Sequence, residues 1–294
     1  MTFYHSALEI ASESRDTPDS IVPRISAVLS ALEEYGKSLS AVRFLDEEFS
    51  LEQALTLSTT SDRTAPLFGV PLAHKELYGR VTTSGPWPDE GGSASCEGQK
   101  SSQTAFAITK LDKAGSIDCG RLVSVEYALG VTGHNAFAGT PKNPWNLDYI
   151  CGGSSSGSGA VVAAGIVPGA LGSDTGGSIR LPAAACGLVG IKPTYGVVSR
   201  TGVFPLSVSL DTVGPLTRSV TDGALILQAI SGYDATDSCS VHLPEENYSR
   251  SLNSGLSGLN IGLCEDYFLK GSDTDMADMT ADSFALCNSL GATC

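Results

Sequence analysis

Two serine- and glycine-rich segments lie close together in the middle of this chain of 294 residues. The first spans residues 152–159 (GGSSSGSG) and the second spans residues 172–180 (GSDTGGSIR), with an apolar Ala/Val/Ile segment between them. A serine hydroxyl becomes a nucleophile once a base removes its proton. Glycine turns can point backbone N–H groups at a developing negative charge. The two segments can therefore supply a nucleophile and an oxyanion-binding turn.

A candidate base stands upstream of these segments. Lys75 follows the apolar residues Val70, Pro71, Leu72 and Ala73. A lysine accepts a proton only in its neutral form, and burial among apolar neighbours disfavours the ammonium form. Lys75 is therefore the candidate that would activate a serine.

Three other uses of these segments fit the residues less well. A flexible linker would not carry an apolar core between its glycine clusters. A phosphate-binding loop would show G-x-x-x-x-G-K-[ST] or a well-placed G-x-G-x-x-G, and neither occurs here. A Ser-His-Asp hydrolase would place its serine in a G-x-S-x-G elbow, which is also missing, and the chain has only four histidines.

The lysine segment and the two loops resemble the signature of the amidase signature family, whose members hydrolyse carboxylic amides with a serine–serine–lysine triad. In that family the nucleophile lies 24 residues after the mediating serine, which is the spacing between Ser154 and Ser178. The resemblance implies that Lys75 is the base, Ser154 the proton relay and Ser178 the nucleophile that forms an acyl-enzyme. It also implies a cis peptide bond at Gly153–Ser154. The similarity extends from about Pro66 to about Tyr233.

The resemblance further implies which groups surround the triad. An oxyanion on the substrate would be bound by the turn formed by Thr175, Gly176, Gly177 and Ser178, where loss of one donor costs roughly 3–4 kcal/mol. The residues expected to support the loops are Ser155, Asp174 and Arg180, and we expect the last two to form hydrogen bonds or an ion pair. The expected substrate is a small-molecule amide, with no cofactor and no metal ion.

Several residues depart from the family pattern. Glu76 stands where aspartate is usual, Cys151 where proline is usual, and Ser156 and Gly159 vary the first loop. His74 precedes the lysine where an apolar residue is common, and we expect a structural or solvent-facing role for it. No departure removes a member of the triad.

Composition limits the classes of partner. The net charge is −14, from 18 basic and 32 acidic residues, which argues against direct contact with nucleic acid. The eight cysteines form no C-x-x-C motif, a pattern typical of buried thiols in a reducing compartment, so we predict a cytoplasmic protein. The start of the chain lacks the features of a secretory signal. The longest apolar run, Ala160–Leu171, is too short to span a bilayer, so no membrane contact is expected.

Hydrophobic periodicity predicts an α/β fold, a mixed β-sheet covered on both faces by helices. A capping box at Ser50–Gln53 is expected to open the second helix. The predicted helices span residues 21–35, 50–59, 103–114, 155–164, 219–231 and 275–290, and the predicted strands span 116–121, 167–172, 188–192 and 259–264.

The whole chain, residues 1–294, is predicted to be a single amidase domain with a helical N-terminal region over 1–65 and a catalytic core over 66–233. It resembles the N-terminal two thirds of such a domain with the C-terminal part missing, so we expect an unstable, weakly active or homo-oligomeric chain. The segment 202–211 favours a free-standing amidase. The alternatives are the glutaminase subunit of a tRNA-dependent amidotransferase and a truncated inactive fragment.

Overall fold

A computed structural model describes residues 5–244 and 247–294. The chain divides into two compact units, Met1–Asn247 and Tyr248–Cys294. The residues predicted to carry chemistry all lie in the first unit. None of the described helices is both long and apolar enough to cross a membrane.

The strands of the first unit form two three-stranded sheets and a small hairpin. The strands are β1 (Val42–Phe44), β2 (Pro71–Lys75), β3 (Val81–Thr82), β4 (Gly85–Pro86), β5 (Ile117–Leu122), β6 (Gly169–Asp174), β7 (Val189–Gly190) and β8 (Thr212–Thr217). In one sheet β5 is the central strand, antiparallel to β1 and parallel to β2, and in the other β8 is central and antiparallel to β6 and β7. β3 and β4 form the hairpin.

Helices pack on these sheets and close the core. The helices are α1 (Ala7–Asp16), α2 (Ile21–Ala31), α3 (Glu47–Thr59), α4 (Phe106–Lys113), α5 (Ser156–Ala163), α6 (Arg180–Ala185) and α7 (Val220–Ile230), with α8 (Glu265–Phe268) and α9 (Thr274–Ser289) in the second unit. A buried hydrophobic cluster joins α2 and α5 to the strands through Ile21, Ile25, Ile117 and Val161. The predicted α/β class, with mixed sheets and helices, is confirmed, and the structure adds that the strands are divided between sheets.

The predicted start of the second helix is wrong. α3 begins at Glu47, because the Asp46 carboxylate caps it by accepting a hydrogen bond from the Phe49 N–H at 3.0 Å. Ser50 lies inside the helix, and its buried hydroxyl contacts the carbonyl oxygens of Asp46 at 2.8 Å and Asp118 at 2.9 Å. Ser50 therefore ties α3 to β5 instead of opening the helix.

The predicted strand at residues 259–264 is also wrong. In the described part of the second unit, Asn260 forms a single parallel β-bridge with Thr293, and no longer run of strand pairing extends from this bridge. A strand needs a partner along its length to satisfy its backbone groups. The helix predicted beside it does form as α9, capped by Asp273 and followed by Gly291 at a φ of +99°.

Candidate active site

Lys75 ends β2, a strand in which all five residues are buried. Its side chain is fully buried, and its Nζ lies 2.7 Å from the Ser154 Oγ and 2.9 Å from the Ser173 Oγ. Because the parallel pairing with β5 fixes the backbone of β2, the amine is held between the two hydroxyls. Lys75 and Ser154, predicted from the sequence as base and relay, are thus in direct contact.

Burial also sets the charge state of this amine. Desolvation lowers the pKa of Lys75 from 10.5 to about 7, although Glu76, Asp211 and Asp174 attract the ammonium form and oppose the shift. At neutral pH a large fraction of the amine is therefore unprotonated. An unprotonated amine 2.7 Å from a hydroxyl can accept its proton.

This pKa shift predicts a pH-dependent stability. Between pH 7 and 10.5 the unfolded chain holds a proton on Lys75 that the folded chain releases, so the free energy of unfolding should rise with pH across this window. Lys75→Met removes the titrating group. We expect the wild type to gain stability relative to this variant from pH 7 to 10, measured by urea unfolding at each pH. A difference that stays constant over the window would contradict the buried, neutral lysine.

The two serine loops touch each other. The Gly153–Ser154 peptide bond is cis, and the Ser154 carbonyl accepts a hydrogen bond from the Val125 N–H at 3.1 Å. The Ser155 N–H donates to the Ser178 carbonyl at 3.3 Å, which brings the predicted nucleophile beside the relay. Ser154 is fully buried whereas Ser178 retains 7% of its surface. Of the two residues, Ser178 is the one with surface that a substrate could contact.

The turn before Ser178 depends on its glycines. Gly177 has a φ of +143°, and a Cβ there would lie 2.8 Å from the Leu181 Cδ1, so a side chain at this position would strain the turn. A Cβ on Gly176 would meet nothing within 4 Å, because it faces open space. A side chain on Gly176 would therefore occupy space open to a substrate.

The four predicted oxyanion-binding residues are not equivalent. The Gly177 N–H already donates to the Asp174 Oδ1 at 2.7 Å. Among the described residues, the N–H groups of the other three, Thr175, Gly176 and Ser178, donate no hydrogen bond to a backbone carbonyl outside regular helices and strands. These three backbone donors are therefore available to bind an oxyanion.

The Asp174 carboxylate holds this turn in place through hydrogen bonds. This fully buried carboxylate accepts hydrogen bonds from the Gly177 N–H, from the Ile179 N–H at 3.2 Å, and from the Arg180 Nε and Nη2 at 2.9 Å each. Burial opposes its ionised form, but these donors outweigh the burial and lower the pKa of Asp174. Asp174 and Arg180 thus form the ion pair expected from the sequence.

Two residues at the site have no role that the sequence predicted. Ser173 contacts the lysine, and its only sequence signal is a polar side chain in β6, a strand buried at all six positions. The Asp211 carboxylate accepts a hydrogen bond from the Thr175 hydroxyl, and also from the Leu206 N–H at 2.8 Å and the Ser207 N–H at 2.9 Å. Asp211 therefore ties the segment around residue 206 to the turn.

The neighbours of Lys75 in the chain are structural. His74 is buried, so it is not solvent-facing, and its Nδ1 accepts a hydrogen bond from the Leu171 N–H at 3.3 Å. Burial lowers the pKa of His74 to about 3, so its ring is neutral and cannot repel the lysine. Glu76 accepts hydrogen bonds from the Ser124 N–H at 2.7 Å and its hydroxyl at 3.1 Å, which anchors the end of β2.

A cavity of about 280 Å³ adjoins the site. Ser173 and Asp211 line it, whereas Ser154 and Ser178 are not among its lining residues. Ser173, which contacts Lys75, therefore separates the cavity from the lysine, and Asp211, which contacts Thr175, separates it from the turn. Its other lining residues are Leu77, Arg200, Thr201, Val203, Phe204, Pro205, Leu206, Val208, Thr212, Val213, Thr236, Asp237 and Ser238.

The contact between Ser173 and the lysine predicts a measurable effect. When neutral Lys75 accepts the Ser154 proton with its lone pair, its N–H donates to Ser173. The Ser173 hydroxyl oxygen is an acceptor that stabilises the ammonium form of Lys75 more than the neutral amine. Ser173→Ala removes this acceptor, so it should lower the pKa of Lys75 and reduce turnover about tenfold. Ser173→Thr keeps a hydroxyl and should restore both.

The pH dependence of kcat/KM distinguishes this role from a purely structural one. In Ser173→Ala we expect its inflection to lie at a lower pH than in the wild type. An inflection at the wild-type pH, together with reduced turnover, would show that Ser173 only supports the fold.

A family model described as Amidase matches residues 24–294. The chain belongs to the amidase family. The chain is 39% identical over 287 residues to a glutamyl-tRNA(Gln) amidotransferase subunit of Chromobacterium violaceum, in an alignment that covers 98% of this chain and 56% of the relative. The chain therefore spans little more than half the length of that relative.

Solved structures give the same family. The corresponding glutamyl-tRNA(Gln) amidotransferase subunit from Thermotoga maritima is 29% identical with a TM-score of 0.86, and the match covers 100% of this chain and 61% of the Thermotoga chain. A native peptide amidase from Stenotrophomonas maltophilia is 30% identical with a TM-score of 0.85, and the match covers 98% of this chain and 61% of the Stenotrophomonas chain. The membership of the amidase signature family predicted from the sequence is confirmed.

Proposed function

We propose that this protein hydrolyses carboxylic amides to an acid and ammonia or an amine through an acyl-enzyme on Ser178. The observation that supports this most is the buried Lys75, with a pKa of about 7 and its Nζ 2.7 Å from the Ser154 Oγ. A lysine that is neutral near pH 7 can deprotonate a serine, and its relay serine adjoins the loop that carries Ser178.

In the proposed mechanism the proton moves along a short chain. Ser154 gives its proton to Lys75 and takes the proton of Ser178, whose Oγ attacks the substrate carbonyl. The carbonyl electron pair forms an oxyanion, which the available N–H groups of the turn, those of Thr175, Gly176 and Ser178, bind. The C–N bond then breaks, the proton returns through Ser154 to the leaving nitrogen, and Ser178 is left acylated. A water molecule attacks the acyl-enzyme by the same route and releases the acid.

The curated relatives support a more specific candidate. Several are glutamyl-tRNA(Gln) amidotransferase subunits, at 38–40% identity. We propose on this ground, as the second candidate, a subunit of this kind that releases ammonia from glutamine and has other subunits as partners. Segment 202–211 favours the free-standing amidase, but the relatives support the subunit role better. The likeness to a peptide amidase supports the free-standing candidate.

Ammonia release by the purified 294-residue chain tests the proposal, with Ser178→Ala as the matched control. Hydrolysis of simple amides by the chain alone would support a free-standing amidase. Hydrolysis of glutamine that rises with added amidotransferase subunits would support the subunit role. Inertness toward every amide, alone and with partners, would overturn the proposal in favour of a truncated inactive fragment. The domain limits and the cytoplasmic location stay predictions.

A further inference from the structure

Lys75 and Ser173 lie on strands of two different sheets. β2, which carries the lysine, pairs with β5, whereas β6, which carries the serine, pairs with β8. Among the described residues, no strand pairing joins β2 to β6. The 2.9 Å contact between the Lys75 Nζ and the Ser173 Oγ therefore crosses from one sheet to the other without paired strands beside it. Side chains have to hold the two strands at this spacing.

Two side chains from the β2 segment bind the backbone of β6. The buried His74 ring accepts a hydrogen bond from the Leu171 N–H on its Nδ1, at 3.3 Å. The buried Tyr78 hydroxyl donates a hydrogen bond to the Gly172 carbonyl oxygen at 2.6 Å. The lysine lies between these two side chains in the sequence, and the serine that it contacts directly follows the two residues that they bind. The two hydrogen bonds thus bracket the contact between the amine and the serine hydroxyl.

The backbone of Tyr78 is itself fixed to β5. Its carbonyl oxygen accepts a hydrogen bond from the Arg121 Nε at 2.8 Å, and its N–H donates to the Lys75 carbonyl oxygen at 3.3 Å. Arg121 is buried, and its Nη1 pairs with the Asp118 Oδ1 at 2.9 Å. Because β5 also fixes β2, the tyrosine hydroxyl holds β6 in a defined position relative to the lysine.

Burial keeps both side chains in the protonation state that these hydrogen bonds need. It lowers the pKa of His74 to about 3, so the neutral ring can accept a hydrogen bond at neutral pH. It raises the pKa of the Tyr78 hydroxyl, which therefore keeps the proton that it donates. The charged groups that act on the lysine are Glu76, Asp174 and Asp211, and substitution of the tyrosine or the histidine leaves all three in place.

We propose that Tyr78 and His74 are positioning residues, which hold β6 so that the Ser173 hydroxyl stays within hydrogen-bond distance of the Lys75 amine. Neither side chain touches the reacting atoms of the proposed mechanism. Loss of either hydrogen bond lets β6 move away from β2, and the ammonium form of the lysine then loses an acceptor. The expected effect on turnover rests on the proposed amide hydrolysis, whereas the charge state of the lysine can be measured without a substrate.

Tyr78→Phe removes one hydroxyl and tests the proposal directly. We expect turnover to fall about threefold to tenfold, and the inflection of kcat/KM to lie about half a pH unit below that of the wild type. NMR titration of isotope-labelled lysine side chains should show the same displacement for Lys75, whose resonance is the one missing from Lys75→Met. Tyr195→Phe is the matched control, because the Tyr195 hydroxyl also donates at 2.6 Å to a backbone carbonyl, that of Val208, outside β2 and β6. Lys75 should titrate in this control as in the wild type.

A double variant shows whether Tyr78 acts through Ser173. In Ser173→Ala the acceptor is already lost, so adding Tyr78→Phe should displace the titration of Lys75 no further. If Tyr78→Phe displaced the titration equally with and without the Ser173 hydroxyl, or left it at the wild-type pH, the positioning role of the tyrosine would be overturned.

His74 provides a second test, which holds even if Tyr78→Phe fails to fold. His74→Leu removes the acceptor of the Leu171 N–H and should displace the titration of Lys75 to lower pH. His74→Asn provides a side-chain oxygen in place of the ring nitrogen and should restore the wild-type titration. A wild-type titration in His74→Leu, or an equal displacement in both variants, would overturn the positioning role of the histidine.

The two readouts separate this inference from the function on which it rests. A titration displaced as expected, in a protein that hydrolyses no amide, would support the positioning of the lysine and overturn the proposed function. An active wild type whose lysine titrates identically in Tyr78→Phe and His74→Leu would overturn the inference and leave amide hydrolysis intact.

Discussion

Ser178→Ala should abolish amide hydrolysis, with a loss of at least about 10⁴-fold, while the protein keeps its fold. The substitution removes one hydroxyl, the atom that forms the acyl-enzyme. The bonds that hold the turn come from the Asp174 carboxylate and from the backbone of Ser178 itself, and the alanine variant retains them. Ammonia release measures the loss, and a thermal melting curve shows that the fold survives.

A matched serine controls for non-specific effects. Ser209→Ala removes a hydroxyl from an exposed residue outside the two loops, so it should leave turnover unchanged. If Ser178→Ala hydrolysed amides at a rate near that of the wild type, another group would have to be the nucleophile.

Lys75→Ala should lower turnover by about 10²–10⁴-fold, because the relay loses its proton acceptor. Lys75→Arg should not restore activity, since a guanidinium stays protonated at any usable pH. In the wild type the pKa of about 7 means that kcat/KM rises as the pH increases through 7, where Lys75 loses its proton. The measurement is the pH dependence of kcat/KM for one neutral amide.

The exposed Lys100 provides the control, and Lys100→Ala should show the wild-type profile. Strong activity in Lys75→Arg would rule out lysine as the base. A profile without an inflection near pH 7 would mean that the amine is not held neutral by burial.

The sequence predicted the triad because each member stands in a short local motif whose spacing can be read directly. Ser173 and Asp211 could not be found in this way, since their roles come from contacts across the fold. The Ser173 hydroxyl meets a lysine 98 positions earlier, and the Asp211 carboxylate meets a threonine 36 positions earlier. The hydrogen bond from the Gly177 N–H to the Asp174 carboxylate likewise depends on the conformation of the turn, which the sequence does not state.

The errors in secondary structure have similar causes. Ser50 and Gln53 have the spacing of a capping box, but the Asp46 carboxylate caps the helix. The Ser50 hydroxyl instead donates a hydrogen bond to the Asp118 carbonyl in β5. Residues 259–264 have the composition of a strand, which says nothing about whether a partner runs beside them. Helices α2, α5, α7 and α9 lie close to their predicted positions because their apolar periodicity and end signals are local.

Labelling with a serine-directed phosphonate tests the central claim most directly. The probe forms a phosphorus–oxygen bond with an activated serine and loses its leaving group, and peptide mapping by mass spectrometry locates the adduct. We predict one adduct on Ser178 in the wild type, with labelling that increases as the pH rises through about 7 and falls sharply in Lys75→Ala. An adduct on a different serine, or labelling of Ser178 that is unaffected by Lys75→Ala, would contradict this prediction.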